Sequence, residues 1–393
     1  MSRAKVVHII TKMELGGAQQ NTLFTVTHLK PEEFQPYLLA GPGGELFDEA
    51  RACARFHLVP DLVREVRPLQ DSRAFFQIKK LLKKIKAEAP ADAPLIVHTH
   101  SSKAGILGRL AARSAGVPVI IHSIHGYGFH DRQGAALRWF YILLERLIGS
   151  CTTFFIAVAR ANIEKGVGLK LFPRERVRLI RSGIDIRQFA TPAVPRAEMR
   201  EQLGIAPDCP VVLMVACLKP QKAPLDYVRV CARISARLPR AHFLLAGDGQ
   251  MRCAMEEQIL AAGVSEKFHL LGWQPDITSL LHASDALVLT SLWEGLPRVI
   301  PQAMSAGLPV VVTRVDGSPE AVKQNETGFV LEPGDIDGIA EKTLYLLENP
   351  EKARRMGLAG RALVAEFDIF TMVAEQEALY REQLRQNFPN SSR

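Results

Sequence analysis

The chain has 393 residues, with 49 Lys+Arg against 41 Asp+Glu and a formal net charge of +8. Hydrophobic residues at 47% and charged residues at 23% are ordinary for a soluble globular protein, and the length leaves room for about two domains, each able to bury a core without disulfides or metals. No apolar run approaches the ~18–20 residues that cross a bilayer, the first apolar stretch (Val6 to Ile10) is too short for a secretory signal, and no module combines basic and aromatic residues as nucleic-acid binding requires.

A strand is expected at Lys5 to Ile10, then a loop ending in Gly16-Gly17 and a helix from Ala18 to about Leu29. Further strands read at Tyr37–Leu39, Leu95–His98, Val117–His122 and Phe154–Ala159, with helical stretches between them. Before Leu95, Lys79, Lys80, Lys83, Lys84 and Lys86 interleave with Phe75, Phe76, Ile78, Leu81, Leu82 and Ile85. On a helix this spacing sets an apolar stripe beside a cationic face. It fits either a surface for an anionic leaflet or a core-packed helix with solvated lysines. Arg138 to Ile148 carries Trp139, Phe140, Tyr141, Leu143 and Leu144, for which core packing is expected.

The alternation breaks over Ile186 to Ala206, where Pro192, Pro195 and Pro207 cluster, and a linker is expected there. It resumes with strands at Val211–Val215, Phe243–Ala246, His269–Leu271, Ala286–Thr290 and Pro309–Val312. Helices are expected at Leu225–Leu238, Met251–Ala262, Val299–Ala306 and Ile336–Leu347, and a last one over Phe370 to Phe388. Short apolar strands alternating with longer helices imply a parallel sheet covered on both faces. Here the pattern runs twice, so the fold class is α/β with two doubly wound domains. Residues 1–185 hold 27 Lys+Arg against 16 Asp+Glu, and the remainder 22 against 25, so the first half is basic. Six cysteines form no Cys-x-x-Cys pair and are expected as buried free thiols.

In open α/β sheets ligands lie beyond the carboxyl ends of the strands. Gly16-Gly17, His125-Gly126, Lys222, Gly247-Asp248-Gly249 and Glu294-Gly295 all fall there, which implies one cleft lined from both domains. Ser291 to Met304 reads as a strand end, a Glu-Gly turn and a helix opening. The free N–H groups and positive dipole end of such a helix suit phosphate or sugar oxygens. Glu294 either accepts from sugar hydroxyls or only caps the helix. His98 and His100 are expected on opposite faces of their strand, with His100 toward the cleft. His98, His100, His122 and His125 lack carboxylate or thiol partners at ligand spacing, and Asp335-Ile336-Asp337 reads as a helix cap. No metal site is therefore expected.

Longer stretches carry a family resemblance. Glu294 to Gln302, Ala306-Gly307-Leu308-Pro309, Gly317-Ser318-Pro319-Glu320, Thr327-Gly328-Phe329-Val330, Ala246-Gly247-Asp248-Gly249, Leu271-Gly272-Trp273 and Ser182-Gly183-Ile184-Asp185 resemble the donor-binding domain of the retaining family-four glycosyltransferases of GT-B architecture. Gly16-Gly17-Ala18-Gln19, His98-Thr99-His100-Ser101 and Ser123-Ile124-His125-Gly126 match its N-terminal half, so the resemblance covers nearly the whole chain. It implies two Rossmann-like domains facing a central cleft. The acceptor-side domain would hold residues 1–186 and a returning C-terminal helix at about 371–393; the donor-binding domain would hold 187–370.

The resemblance also implies roles. Glu294 contacts the transferred sugar. Gln302 stands where the family has a second Glu on the ribose hydroxyls, and it keeps a hydrogen bond without the charge assistance. Gly295 and the backbone of Leu296, Arg298 and Val299 approach the sugar and diphosphate, with Gly247, Trp273, Gly16 and Gly17 also on the donor side. Lys222 matches the lysine that pairs with the diphosphate. Cys217 stands where an Arg is usual and supplies no charge, so either Lys219 compensates or Lys222 and the helix dipole carry the load alone. His125 matches a histidine near the reacting bond, and His100 and Lys103 lie on the acceptor side.

The implied reaction is retaining transfer of a sugar from a nucleotide-diphosphate sugar to a glycan or lipid-linked acceptor of a bacterial surface polysaccharide. The nucleotide sugar is a substrate; no cofactor and no metal is expected, because Lys222 and the helix opening at Val299 stabilise the leaving diphosphate. A nucleotide-sugar-binding protein without turnover, or an epimerase, are the alternatives. A dinucleotide oxidoreductase would need a Gly-x-Gly-x-x-Gly after the first strand, which is missing. The basic first half and residues 75–86 imply an anionic membrane surface as partner, hence a cytoplasmic enzyme peripheral on the inner face of the membrane.

Overall fold

The structure, a computed structural model, describes residues 3–53, 55–88 and 93–388. The chain forms two compact units, one holding residues up to Gly183 and from Ile369 on, the other Ile184–Asp368. The first contains β1 (Ala4–Ile10), β2 (Phe34–Ala40), β3 (Phe56–Leu58), β4 (Leu95–His100), β5 (Val119–Ile124), β6 (Phe154–Ala157) and β7 (Val177–Leu179). They make one 7-stranded parallel sheet in the order β3-β2-β1-β4-β5-β6-β7. The second contains β8 (Val211–Val215), β9 (His242–Ala246), β10 (Phe268–Gly272), β11 (Ala286–Leu289), β12 (Val310–Thr313) and β13 (Gly328–Leu331). Its 6-stranded parallel sheet runs β10-β9-β8-β11-β12-β13. Both are doubly wound α/β sheets.

Central strands are apolar because helices cover both of their faces. In the first unit one face packs Val7, Ile9, Val97 and Ile120 against Ala74, Ile78, Leu82 and Ile85 of the helix Pro68–Ala87. The other face packs Val6, Ile96, Ile121 and Ile156 under Met372, Val373, Leu379 and Tyr380 of the helix Ile369–Asn387. The chain crosses between units at a tight place. A Cβ on Gly183 would lie 2.5 Å from the Ile369 Cα, so only glycine fits there.

Four expectations are corrected. His98 and His100 are two residues apart on β4, so they share a face and do not oppose each other. Register sets His8 beside His98 and Ser123 beside His100, while Thr99 and His122 take the opposite face. The apolar stripe of residues 75–86 is in the core, and Lys80, Lys83, Lys84 and Lys86 are exposed; of the two readings for this helix, the core-packed one is found. The helix Ala135–Gly149 is the reverse case. Only Ile142 and Ile148 of its large apolar residues are buried, and Leu137, Trp139, Phe140, Leu143 and Leu147 are each 49–61% exposed. Spacings of three and four put Phe140, Leu143 and Leu147 on one outward stripe. Glu145 points inward to Arg109 at 2.8 Å and fixes that rotation.

The segment expected as a linker carries the helices Ile186–Ala190 and Arg196–Gln202 within the second unit. Its prolines cut the helices short, but Arg200 anchors the segment. Its buried guanidinium donates to Ala283 O (2.9 Å), Pro207 O (2.7 Å) and Asp285 Oδ2 (2.9 Å). The six thiols are free, but Cys231 alone is buried and Cys253 is exposed. Among the described residues no helix is long and apolar enough to cross a membrane.

Candidate active site

In the second sheet the strand order reverses between β8 and β11, the point at which doubly wound sheets open a crevice beyond their carboxyl ends. The loops after these two strands are stitched together. Thr290 Oγ1 lies 3.0 Å from the Lys222 carbonyl and 2.9 Å from that of Ala223. Leu292 N donates to Gln221 O (2.8 Å), and Gln221 Nε2 donates to Trp293 O (2.9 Å). The stitching delivers the Lys222 ammonium onto the Glu294 carboxylate, an ion pair between residues 72 positions apart in sequence. Glu294 is 8% exposed, and its N–H donates to Asp316 Oδ2 at 2.7 Å. Asp316 follows β12 and sits at a φ of 39°, and Gly317 N donates to Gly295 O at 2.8 Å.

The helix Val299–Ala306 opens directly after this turn, with Arg298 as its N-cap and no side-chain cap on its first turn. Leu296, Val299 and Gln302 are buried. Burial pushes the Arg298 guanidinium down to about 10. Gly247 ends β9 at a φ of 137°, where a Cβ would lie 2.0 Å from Ala216 O, so this position requires glycine. Its N–H donates to Gly272 O at 2.7 Å, and half-exposed Trp273 follows Gly272. Lys222, Glu294 and Gly295 thus form one cluster, with Leu296 in the turn that follows, Arg298 as N-cap and Val299 and Gln302 on the adjoining helix. Gly247 and Trp273 lie on the neighbouring strand-end loops. Cys217 and Lys219 are half-buried in the turn before Lys222.

In the first unit His125 follows β5, and its Nε2 lies 3.1 Å from His100 Nδ1. His100 is buried and continues to His8, Nε2 to Nδ1, at 3.0 Å. His98 Nδ1 meets Tyr380 Oη at 2.6 Å and His98 Nε2 meets Ser123 Oγ at 2.8 Å. Burial holds His98, His100 and His122 well below the usual imidazole range and His8 at about 3, so all four are neutral. Nitrogens of His8, His98 and His100 lie within 4.8 Å of one another. Both nitrogens of His98 and both of His100 are already hydrogen-bonded to protein partners, which makes the group a hydrogen-bond network. His100 and His125, with Asn21, Thr22, Ser123 and Gln376, line a small cavity beyond β4 and β5, whose other walls include Ile156, Val158 and Met372.

Lys103 is paired with Asp71 and also donates to Glu65 O, tying its helix to the helix Pro68–Ala87. Gly16 caps the helix Gly17–His28 at a φ of −152°, extended backbone that any residue adopts. Asp335 caps the helix Ile336–Glu348, accepting from Gly338 N at 2.9 Å. Sequence reasoning passed over His8, Asp316 and Tyr380. His8 was detectable as a polar residue inside an apolar central strand, and Asp316-Gly317 as a turn after β12. Tyr380, 282 residues from His98, left no local signal.

The family "Glycosyl transferases group 1" matches residues 195–363, and "Glycosyl transferase 4-like domain" matches residues 7–183. The chain is 34% identical over 340 residues to the UDP-Gal:alpha-D-GlcNAc-diphosphoundecaprenol alpha-1,3-galactosyltransferase of Escherichia coli, covering 86% of each. It is 28% identical over 363 residues to the GDP-mannose-dependent alpha-(1-6)-phosphatidylinositol monomannoside mannosyltransferase of Mycolicibacterium smegmatis, covering 88% of this chain and 89% of that one. Among solved structures, Anabaena HepE in complex with UDP-glucose superposes with a TM-score of 0.78 at 20% identity, over 95% of this chain and 99% of that one. Two doubly wound sheets, a lysine–glutamate pair at the switch point of the second, and matches along nearly the whole sequence agree: the chain belongs to the glycosyltransferases, with a 4-like first domain and a group 1 second domain on the GT-B architecture.

Proposed function

We propose that the enzyme transfers a hexose from a nucleotide-diphosphate sugar, with retention, to a lipid-linked glycan precursor of a cell-surface polysaccharide. The observation that carries this reading is the Lys222–Glu294 pair at the β8/β11 switch point, beside the uncapped opening of the helix Val299–Ala306. When the bond from the anomeric carbon to the diphosphate breaks, negative charge grows on the leaving oxygen. Lys222 and the positive dipole end of that helix are set to receive it. Glu294 holds Lys222 in place and accepts from hydroxyls of the transferred sugar. Gln302 takes the ribose, Gly295, Leu296, Arg298 and Val299 line the diphosphate, and Gly247 and Trp273 flank the nucleotide. On the first unit, Gly16 and Gly17 approach the donor, His100 provides the acceptor side and His125 the contact near the reacting bond. Lys103, already paired with Asp71, supports this region through its helix. The charge is neutralised by Lys222 and main-chain dipoles, so the reaction needs no metal or other cofactor.

The name of the Escherichia coli relative makes UDP-hexoses the first donors to test, and a GlcNAc-diphosphate lipid the first acceptor. The parent should transfer hexose from one such donor. Lys222→Ala and Glu294→Ala, folded as the parent is, should lose on the order of 10²–10³ in kcat. Parent-like rates in both variants would refute the role given to the pair.

The acceptor chemistry calls for a peripheral position on the inner face of the membrane. The exposed Trp139, Phe140, Leu143 and Leu147 support this, with the lysine face of Pro68–Ala87 adding positive charge.

A further inference from the structure

The Lys222–Glu294 pair is held from two sides. On one side the loop after β8, which carries Lys222, is tied to the loop after β11 through Thr290, Leu292 and Gln221. On the other side stands the loop after β12. β11 and β12 are parallel neighbours, with Leu289 opposite Val312, so their carboxyl-end loops leave the sheet side by side. Three hydrogen bonds join these loops, each between residues 22 positions apart: Thr313 Oγ1 donates to Ser291 O at 2.6 Å, Glu294 N donates to Asp316 Oδ2 at 2.7 Å, and Gly317 N donates to Gly295 O at 2.8 Å. The middle one engages Glu294 itself.

Asp316 makes that bond from an unusual backbone. Its φ of 39° lies in the left-handed region, where glycine is the ordinary residue and Asp is one of the few side chains tolerated. A glycine would turn the chain here without strain, but it would bring no acceptor to the Glu294 N–H. Glu294 is 8% exposed, so water has little access to replace a lost partner. Strain retained by a residue whose side chain is in use beside a reacting site is a pointer to function.

We propose that Asp316 is a positioning residue of the transfer reaction: its carboxylate fixes the main chain at Glu294, so that the Glu294 side chain meets Lys222 at the β8/β11 switch point. A misplacement of about 1 Å at a reacting site costs on the order of a hundredfold in rate, so this hold governs turnover as well as the shape of the loop. Asp316 acts through Glu294, and the inference rests on the role proposed for the Lys222–Glu294 pair.

Two variants of the full chain keep the turn and change only the acceptor. Asp316→Gly adopts a φ of 39° freely and has no side-chain oxygen, whereas Asp316→Asn tolerates the same φ and keeps an amide oxygen. With the donor and acceptor that the parent turns over, Asp316→Gly should lose about tenfold to a hundredfold in kcat, with KM for the donor within about twofold. Asp316→Asn should stay within about threefold of the parent in both. In a Glu294→Ala background, Asp316→Gly should change kcat by less than about twofold, because the residue through which it acts is gone. A role confined to loop stability would give the same factor in both backgrounds. Amide hydrogen exchange reads the hold without turnover. The Glu294 N–H should be protected in the parent and should exchange at least about tenfold faster in Asp316→Gly.

Parent-like kcat in a folded Asp316→Gly overturns the inference. So does an Asn variant as slow as the Gly variant, or an equal factor in the two backgrounds. A Glu294 N–H that exchanges freely in the parent overturns it whether or not any variant folds. If Glu294→Ala turns over as the parent does, the reading of the pair fails and the inference falls with it. If Glu294→Ala is slow and Asp316→Gly is not, the pair stands and the inference alone is wrong.

Discussion

The polar residues buried inside the first sheet set how that unit responds to acid. His8, His98, His100 and His122 are neutral in the fold because burial disfavours their charged forms. In the unfolded chain each titrates near pH ~6.5. The unfolded state therefore binds protons first as pH falls, and stability is full above that value and lost below it. For His8 the loss runs from about pH 6.5 down to about 3, where the folded form also takes its proton. Each such histidine lowers stability by up to about 1.4 kcal/mol per pH unit in that window. Denaturant unfolding of the first unit should show a clearly lower midpoint at about pH 5.5 than at about pH 7.5. Equal midpoints would mean these rings are solvated. Lys222 and Glu294 stood out in the sequence through their motifs, but their contact did not, because it joins two loops that only the sheet order makes neighbours.

At the scale of elements, composition alone does not separate two helices that look alike. Pro68–Ala87 and Ala135–Gly149 both mix aromatic, aliphatic and basic residues. The first buries its stripe against β1 and β4. The second turns its stripe outward, because Glu145 is committed to Arg109. Trp139→Ser, Phe140→Ser and Leu143→Ser together should lower partition onto anionic liposomes on the order of a hundredfold, since each half-buried apolar side chain contributes about 1 kcal/mol. Neutralising Lys79, Lys80, Lys83, Lys84 and Lys86 should remove mainly the salt-sensitive part. Parent-like partition of the triple variant would sink the membrane reading of this helix. The long central strands were legible as apolar runs. Phe56–Leu58 and Val177–Leu179 were not, because three residues carry no period and both lie at sheet edges.

At the scale of the molecule, the last helix completes a unit that the first 183 residues begin. Ile369–Asn387 supplies Met372, Val373, Leu379 and Tyr380 to the core over β1, β4, β5 and β6, and Tyr380 holds His98. A chain ending at Asp368 should therefore lose the thermal transition of the first unit and keep that of the second. Retention of both transitions in calorimetry would show that the helix is dispensable for the core.

The sequence by itself determined the α/β class, the repetition of the doubly wound pattern and the family, because these rest on local periodicity and on motifs whose residues are neighbours in the chain. Tertiary structure alone decided the file His8–His100–His125, the Lys222–Glu294 contact and which apolar helix faces outward. Each depends on strand order, register or helix rotation, and these follow from packing between segments tens to hundreds of residues apart, a quantity no local window contains.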